Sequence, residues 1–435
     1  SFPLSLSGLD SLRVSLWQAE ARSEQRTLQT RRAAPPRTPH SLRDRLFLYK
    51  DRSVGLSMRG EGRFGIGSSE HWQVFGVDLR RSDISELRDA TETNLDSGAV
   101  SNVLIGESFP LRDFPLTRSD QIGIYWQDEI RFGNGELTLI PGIRHDRVQI
   151  DARPDQLFID DNPDFSATDL QAARTTAKLG LRWALSSHWQ LYSQYAQGFR
   201  APPAADLNVG FTIPAFNYVA LPNPDLRPER SQGLELGLRW LGAAGSAELV
   251  VFHNRYRDLI ESRVNLGRDP DSGALVFQSI NRAEATIEGV ELRGEFALPH
   301  PDYSLIGSLA WARGQDDARS QPLNSVEPAR LVLGLVYEPI DGRQRVELSA
   351  TAVAAKRRID QSAGDLFSAP GYVVIDAYWR MALSPRVEIN LGLFNLTNQR
   401  YWPWSSVAGL EADSPELDLY TAPGRSLGAS VQYRW

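Results

Sequence analysis

The chain has 435 residues, a net charge of −7 and a mean hydropathy of −0.34. No apolar run approaches the roughly 18 residues that a membrane-spanning helix needs, so a helical membrane protein is excluded. Cysteine is absent, which removes disulfide frameworks, thiolate metal sites and cysteine nucleophiles together. The acidic balance, with no basic stripe interleaved with aromatics, argues against nucleic acid as a partner.

From the N-terminus, the opening Ser1-Phe-Pro-Leu4 carries no initiator Met and reads as a processed end or the start of a fragment. Beyond it, a period of two in hydrophobicity divides the chain into about sixteen strand candidates. Clear cases are Gln121–Ile130, Glu136–Ile150, Leu234–Trp240, Val346–Ala352, Tyr372–Met381 and Val387–Leu393. Charges such as Glu235 and Arg239 stand between leucines, which calls for a wet interior on that face. Short turns are expected at 132–135, 185–188, 241–246, 298–302, 339–343 and 383–386. Between them lie long polar connections at 20–45, 81–119, 152–173, 201–232, 261–275, 314–329, 356–371 and 402–425.

The chain ends on Leu427-Gly-Ala-Ser-Val-Gln-Tyr-Arg-Trp435, with Leu427, Ala429, Val431, Tyr433 and Trp435 on one face. Such a strand would expose an apolar edge in a soluble protein. In a transmembrane antiparallel β-barrel it closes onto a neighbour, meets lipid, and sets its terminal aromatic at the interface. Strict alternation of short turns and long loops is the pattern of outer-membrane barrels, so the fold class is all-β, with the long loops outside. Trp72, Trp183, Trp189, Trp240, Trp379 and Trp435 fall at short-turn strand ends, where an aromatic girdle belongs, and Tyr401, Trp402 and Trp404 mark the opposite rim. A soluble propeller is the rival, but no repeat of roughly 40 residues supports it.

Gly198-Phe-Arg-Ala-Pro202 ends a strand, and Pro222-Asn-Pro-Asp-Leu-Arg-Pro-Glu229 precedes the next. Together these resemble the paired boxes of TonB-dependent haem and haemoglobin receptors. Residues Phe199, Arg200, Ala201 and Pro202 match the first box, and Asn223, Pro224, Asp225 and Leu226 match the second. Gly123–Glu129, Gly142–Asp146, Ile287–Glu291, Leu393–Asn398 and Pro423–Arg425 are similar to segments of the wider TonB-dependent receptor family. The resemblance implies a 22-strand barrel behind a plug domain, of which residues 1–435 would be the C-terminal barrel portion, the plug and first strands lying outside it. It also implies TonB as the energy-coupling partner through that plug. Tyr433 and Trp435 would form the insertion signal read by the barrel assembly machinery, with the lipid bilayer of the Gram-negative outer membrane around the wall.

The family places an axial haem ligand, usually His, between the two boxes. None lies there. His71, His188 and His300 fall in short turns, His253 near a strand start, His145 within a strand, and only His40 in a long connection. Phe216-Asn-Tyr218 stands in the box-to-box loop instead, and a tyrosinate can ligate ferric haem. Tyr218 is therefore the candidate haem-iron ligand and His40 a second; an aromatic wall residue is the plain alternative for Tyr218, a solvated loop His for His40. Pro202, Pro203, Pro222, Pro224 and Pro228 stiffen the loop stems whatever the cargo. The expected function is TonB-energised import of haem, possibly taken from haemoglobin. The alternatives are a ferric siderophore receptor of the same family, or a non-energised pore or adhesin barrel. No enzyme is expected: there is no nucleophile elbow, zinc helix or phosphate loop. Gly60-Glu-Gly-Arg-Phe-Gly65 matches a dinucleotide fingerprint by letters only. The acidic runs Asp160–Asp164 and Asp316-Asp317 offer calcium-type ligands, though solvated loop charges explain them as well.

Overall fold

The computed structural model describes residues 8–34, 39–163, 165–213, 217–362 and 364–435. The opening Ser1–Leu4, Asp164 of the first acidic run and Phe216 lie outside them. Sixteen long strands form one sheet, supplemented by four short ones. The long strands are β1 (Ser11–Arg31), β2 (Ser41–Ile66), β3 (Ser69–Asn94), β4 (Leu116–Phe132), β5 (Leu137–Arg153), β6 (Leu170–Ala184), β7 (Trp189–Arg200) and β8 (Glu229–Gly242). They continue as β9 (Gly245–Arg268), β10 (Leu275–Ala297), β11 (Tyr303–Asp316), β12 (Arg330–Tyr337), β13 (Gln344–Val353), β14 (Tyr372–Ser384), β15 (Val387–Phe394) and β16 (Ser426–Tyr433). Each pairs antiparallel with its neighbour in sequence. Among the described residues, β1 and β16 pair on one side only. Among the described residues no helix is long and apolar enough to cross a membrane.

The alternation gives the sheet two chemically opposite faces. Ile122, Ile124 and Trp126 on β4, Leu234 and Leu236 on β8, and Leu331, Leu333 and Leu335 on β12 stand exposed on the outer face. The inner face is ionic. Arg144 binds Asp78 at 3.1 Å and Asp146 at 2.8 Å. Glu248, almost fully buried, accepts from Arg239 at 2.7 Å, from Tyr192 at 3.1 Å and from Arg293. Arg345 and Arg380 share Glu338 at 2.9 and 3.1 Å. These inward charges survive because each has a partner. The placement of Glu235 and Arg239 on a polar face is thus as the sequence leads one to expect.

All six short turns sit where the sequence predicts them, but several long connections are shorter than expected. The span 20–45 is mostly strand, since β1 runs to Arg31 and β2 starts at Ser41. Likewise β3 extends to Asn94 and β9 to Arg268. The reason is electrostatic. Beyond the apolar band, outward charges pair across strands: Arg26 with Asp44 at 2.9 Å, Arg81 with Asp120 at 2.7 Å, and Arg118 with Asp83 at 2.8 Å. Polar composition reads as loop, whereas cross-strand ion pairs carry the hairpins on. His253 is also corrected: it lies mid-strand in β9, opposite Leu234.

On the inner face several aromatic rings crowd against glycines, among them those of Tyr192 and Phe252. A Cβ on Gly237 would stand 2.0 Å from the Tyr192 ring. One on Gly289, within the family-like segment Ile287–Glu291, would meet the Phe252 ring and the Trp311 carbonyl oxygen at 2.5 Å each. The second contact includes backbone, so the side chain cannot be accommodated by a rotamer change alone. Gly289→Val is expected to cost about 1–3 kcal/mol, the ordinary penalty of overpacking. A urea titration of the refolded chain in detergent checks it; an unchanged midpoint would show that the site yields freely.

Candidate functional site

The two boxes close the base of one loop. Arg200, at the end of β7, stands directly opposite Glu229, at the start of β8, and donates to it at 2.6 Å. Glu229 also accepts the Ile260 amide at 2.7 Å. Past Phe199 and Arg200, Ala201–Pro203 lead into the short helix α1 (Ala204–Asn208), with Pro202 fully buried. A short hairpin follows, Phe211–Ile213 with Tyr218–Leu221, whose second strand adds in parallel to β10 at Leu275–Gln278.

The second box fastens the loop. Asn223 donates to the Ser279 carbonyl at 2.9 Å and accepts the Asp225 amide at 3.0 Å. Leu226 is buried with Leu207 and Ile260, Leu170 packing alongside. Asn281 binds the Arg227 backbone in both directions, at 2.8 and 2.9 Å. Pro224 and Asp225 remain exposed. Asn223 and Leu226 thus act as structural fasteners. The same holds for Leu393–Asn398 and Pro423–Arg425. Asn395 donates to the carbonyls of Gln399 at 2.9 Å and Pro423 at 3.2 Å, and Asn398 accepts the Arg425 amide at 2.9 Å.

Under the first box lies an inner-face cavity of about 640 Å³, lined by Phe199, Arg200, Pro202, Tyr49, Arg144 and Asp146 among others. Tyr218 is not in its lining. The Tyr218 ring stacks between Phe211, centroids 5.6 Å apart, and Phe277, 4.7 Å apart. Arg88 extends this aromatic row, 5.8 Å from the Phe211 ring and 5.5 Å from that of Phe109. Burial pushes the Tyr218 phenol above its ordinary range, with Arg263 drawing it partly back. His40 lies elsewhere, just before β2 and 3.6 Å from Asp96.

Sequence reasoning missed an ionic hub on the same side. Arg88 donates to Glu107 at 2.9 and 3.1 Å and to Asp113 at 2.9 Å. Glu86, nearly inaccessible, accepts the Asp113 amide at 3.0 Å, while its other oxygen, Oε1, is buried without a partner. Burial, reinforced by Asp113, pushes Glu86 up to about 7, and burial with Asp113 and Glu107 pushes Asp161 up to about 6. Glu86 and Arg88 fall in the span 81–119 that reads as a connection, and share a face only because β3 runs on to Asn94; no spacing in the sequence brings the segment 102–114 onto them. Among the described residues no set of three His, Asp or Glu is arranged to hold a metal ion. Asp316 instead accepts the Arg319 amide at 3.1 Å, and Asp317 the Thr286 hydroxyl at 2.6 Å. A second lobe joins three other connections: Trp404, Val407 and Ala369 form its core, and Lys356 lies 5.1 Å over the Trp404 ring.

Residues 4–396 match the family model described as TonB dependent receptor-like, beta-barrel. The hemoglobin-haptoglobin utilization protein B of Neisseria meningitidis serogroup C is 26% identical over 357 residues, covering 72% of this chain and 44% of the relative. A probable hemoglobin and hemoglobin-haptoglobin-binding protein 4 of Haemophilus influenzae is 24% identical, covering 63% and 30%. The chain thus spans less than half the length of these curated relatives. Among solved structures, the copper transporter OprC is similar with a TM-score of 0.74 at 16% identity, covering 99% of this chain and 63% of that one. The haemophore receptor HasR of Serratia marcescens, solved with its haemophore HasA and haem, gives 0.65 at 14% identity, covering 98% and 66%. At these identities the structures speak for the fold.

The hub predicts a pH dependence of definite sign. A carboxyl raised in the folded state contributes stability that is fully present below its unfolded value and is lost as pH rises through about 7. Amides of segment 102–114 are therefore expected to exchange faster at pH 8 than at pH 6, after correction for intrinsic rates. Glu86→Gln should flatten most of that difference; an unchanged difference would remove Glu86 from the account.

Proposed function

We propose, since this chain belongs to the TonB-dependent receptor-like β-barrel family, that it forms wall and loops of an outer-membrane receptor importing haem. The observation that carries the reading is the box-to-box loop: an Arg200–Glu229 closure and an Asn223–Leu226 fastener present an aromatic row, Phe211, Tyr218 and Phe277, at the loop end of a polar interior. The names of the relatives, which speak of haemoglobin and haemoglobin–haptoglobin, support the cargo. In this reading 1–435 is part of a 22-strand wall, further strands seating on the open edges of β1 and β16. The outer face meets lipid, and the terminal Tyr433 and Trp435 present the insertion signal to the barrel assembly machinery.

The proposed sequence of events uses no covalent chemistry in the wall. Loops take haem from its carrier, the fastened stems lowering the ordering cost of that contact. Tyr218 holds ferric haem through its phenolate oxygen. The phenol must lose its proton to do so, which burial opposes and Arg263 assists. TonB, acting on a plug, then draws on the inner-membrane proton gradient to move the cargo inward. A ferric siderophore is the second reading, favoured by the absence of any His between the boxes and by the aromatic and arginine character of the row.

Titrating the receptor in detergent with haemin tests both. Haem as cargo predicts a saturable Soret shift, and Tyr218→Phe should weaken binding about tenfold or more, some 1.4 kcal/mol, and alter the spectrum. His40→Ala should leave both unchanged; loss of the band in that variant would move the iron to His40. Absence of any saturable shift in the native receptor would discard haem in favour of the siderophore reading.

A further inference from the structure

The outer face changes chemistry abruptly on β8–β11, and the strand register shows it row by row. Leu236, Val251, Val290 and Trp311 lie opposite one another in one apolar row. The next row towards the loops holds Leu234, His253, Glu288 and Arg313; the next Gln232, Arg255, Thr286 and Gln315; the next Arg230, Arg257 and Glu284. Each row is about 7 Å from the last along the strand. Within three rows the surface turns from hydrocarbon-like to basic. Arg358 joins from the connection after β13, donating to Gln315 Oε1 at 3.4 Å, on the same oxygen that Arg313 reaches at 3.2 Å.

This clustering is unfavourable for the protein alone. Arg230 and Arg257 are direct cross-strand partners on one face, an arrangement that costs stability. Five guanidinium groups face three carboxylates and one imidazole there: Arg257 pairs with Glu284 at 3.1 Å, His253 lies 3.6 Å from Glu288, and Asp317 accepts from the Thr286 hydroxyl at 2.6 Å. Among the described residues, Arg230, Arg255, Arg313 and Arg358 make no ion pair. All five arginines are exposed. Elsewhere on the outer face several charges beyond the apolar band are matched across strands, as in Arg81–Asp120 and Arg118–Asp83.

We propose that this patch binds the headgroup of a lipid bearing two phosphates, in the leaflet on the loop side of the bilayer. The inference rests on the reading that the outer face meets lipid. Guanidinium matches phosphate oxygens in a bidentate fork, which a lysine or a solvated charge does not reproduce. The arginines fall into two groups, Arg230, Arg255 and Arg257 on one side of β10, and Arg313 with Arg358 on the other, so each group takes one phosphate. Acyl chains then lie along Leu236, Val251 and Leu292, and Trp311 sits at the level where an interfacial aromatic belongs.

The test uses the 435-residue chain in detergent micelles, titrated with lipid A carrying two phosphates and with its one-phosphate derivative, lipid retention being read by native mass spectrometry. The native chain should retain the two-phosphate lipid about tenfold more tightly. Arg255→Gln with Arg257→Gln should abolish that preference, and Arg182→Gln, on the inner face, should leave it intact. Equal retention of the two lipids by the native chain, or an unchanged preference in the double variant, would overturn the proposal. Displacement of the lipid by millimolar inorganic pyrophosphate would also overturn it, as a site for free phosphate rather than for a lipid. Failure of the chain to take up any lipid or detergent would instead overturn the membrane reading beneath it.

Discussion

A strand that must satisfy its backbone on both sides while showing oil to one side and water to the other has few sequences open to it. Within the apolar band the alternation of Leu234, Leu236 and Leu238 with Glu235, Gly237 and Arg239 follows that restriction, and the backbone is paired strand to strand from β1 to β16. Because lipid offers no hydrogen bonds, such pairing is a condition for spanning at all. The inner face then becomes free to carry charge, provided each charge finds a partner. Glu248 held by Arg239, Arg293 and Tyr192 is the clearest case. The wall is rigid because its two faces cannot exchange: a slip of one residue would place those arginines in lipid and the leucines in water.

Rigidity of the wall extends into the loops by fastening. The box-to-box loop is tied at Arg200–Glu229, at Asn223–Ser279 and through the Arg227–Asn281 pairing, and its core is Leu207, Leu226 and Ile260. The 102–114 segment is tied by Arg88 and the carboxylates around it, and a separate lobe closes around Trp404. Arg88 touches both the first two, lying beside Phe109 of one and Phe211 of the other. A loop surface built this way is largely ordered, so that a ligand binding there would spend less free energy on arranging side chains. Arg200, Asn223 and Leu226 therefore act by holding the loop.

The wall could be read from residues alone because its code is local: alternation names the strand, and Gly, Asn and Ser clusters name the short turns. Strand length was harder. Arg26, Asp44, Arg81 and Asp120 look like loop composition until the register shows them paired with one another. The boxes were visible as motifs, yet their contacts were not, since Ser279 and Asn281 lie over fifty residues away from Asn223 and Arg227. Tyr218 was found as a candidate, but its stacking partners come from two different strands, which no spacing reveals. The Glu86 hub escaped entirely, because burial by a distant segment, and not residue type, is what raises it.

The two-faced wall is the claim on which transport, loop geometry and lipid contact all rest, and the absence of native cysteine makes it directly accessible. Single cysteines introduced in turn from Arg230 to Trp240 on β8, each carrying a nitroxide, can be scanned in bilayers for collision with oxygen and with a water-soluble nickel chelate. The account predicts strict alternation, with Leu234, Leu236 and Leu238 positions favouring oxygen, Glu235, Gly237 and Arg239 favouring nickel, and both faces turning wet at Gln232 and Arg230. A scan without a period of two, or one in which the leucine positions collide with nickel as readily as their neighbours do, would contradict it.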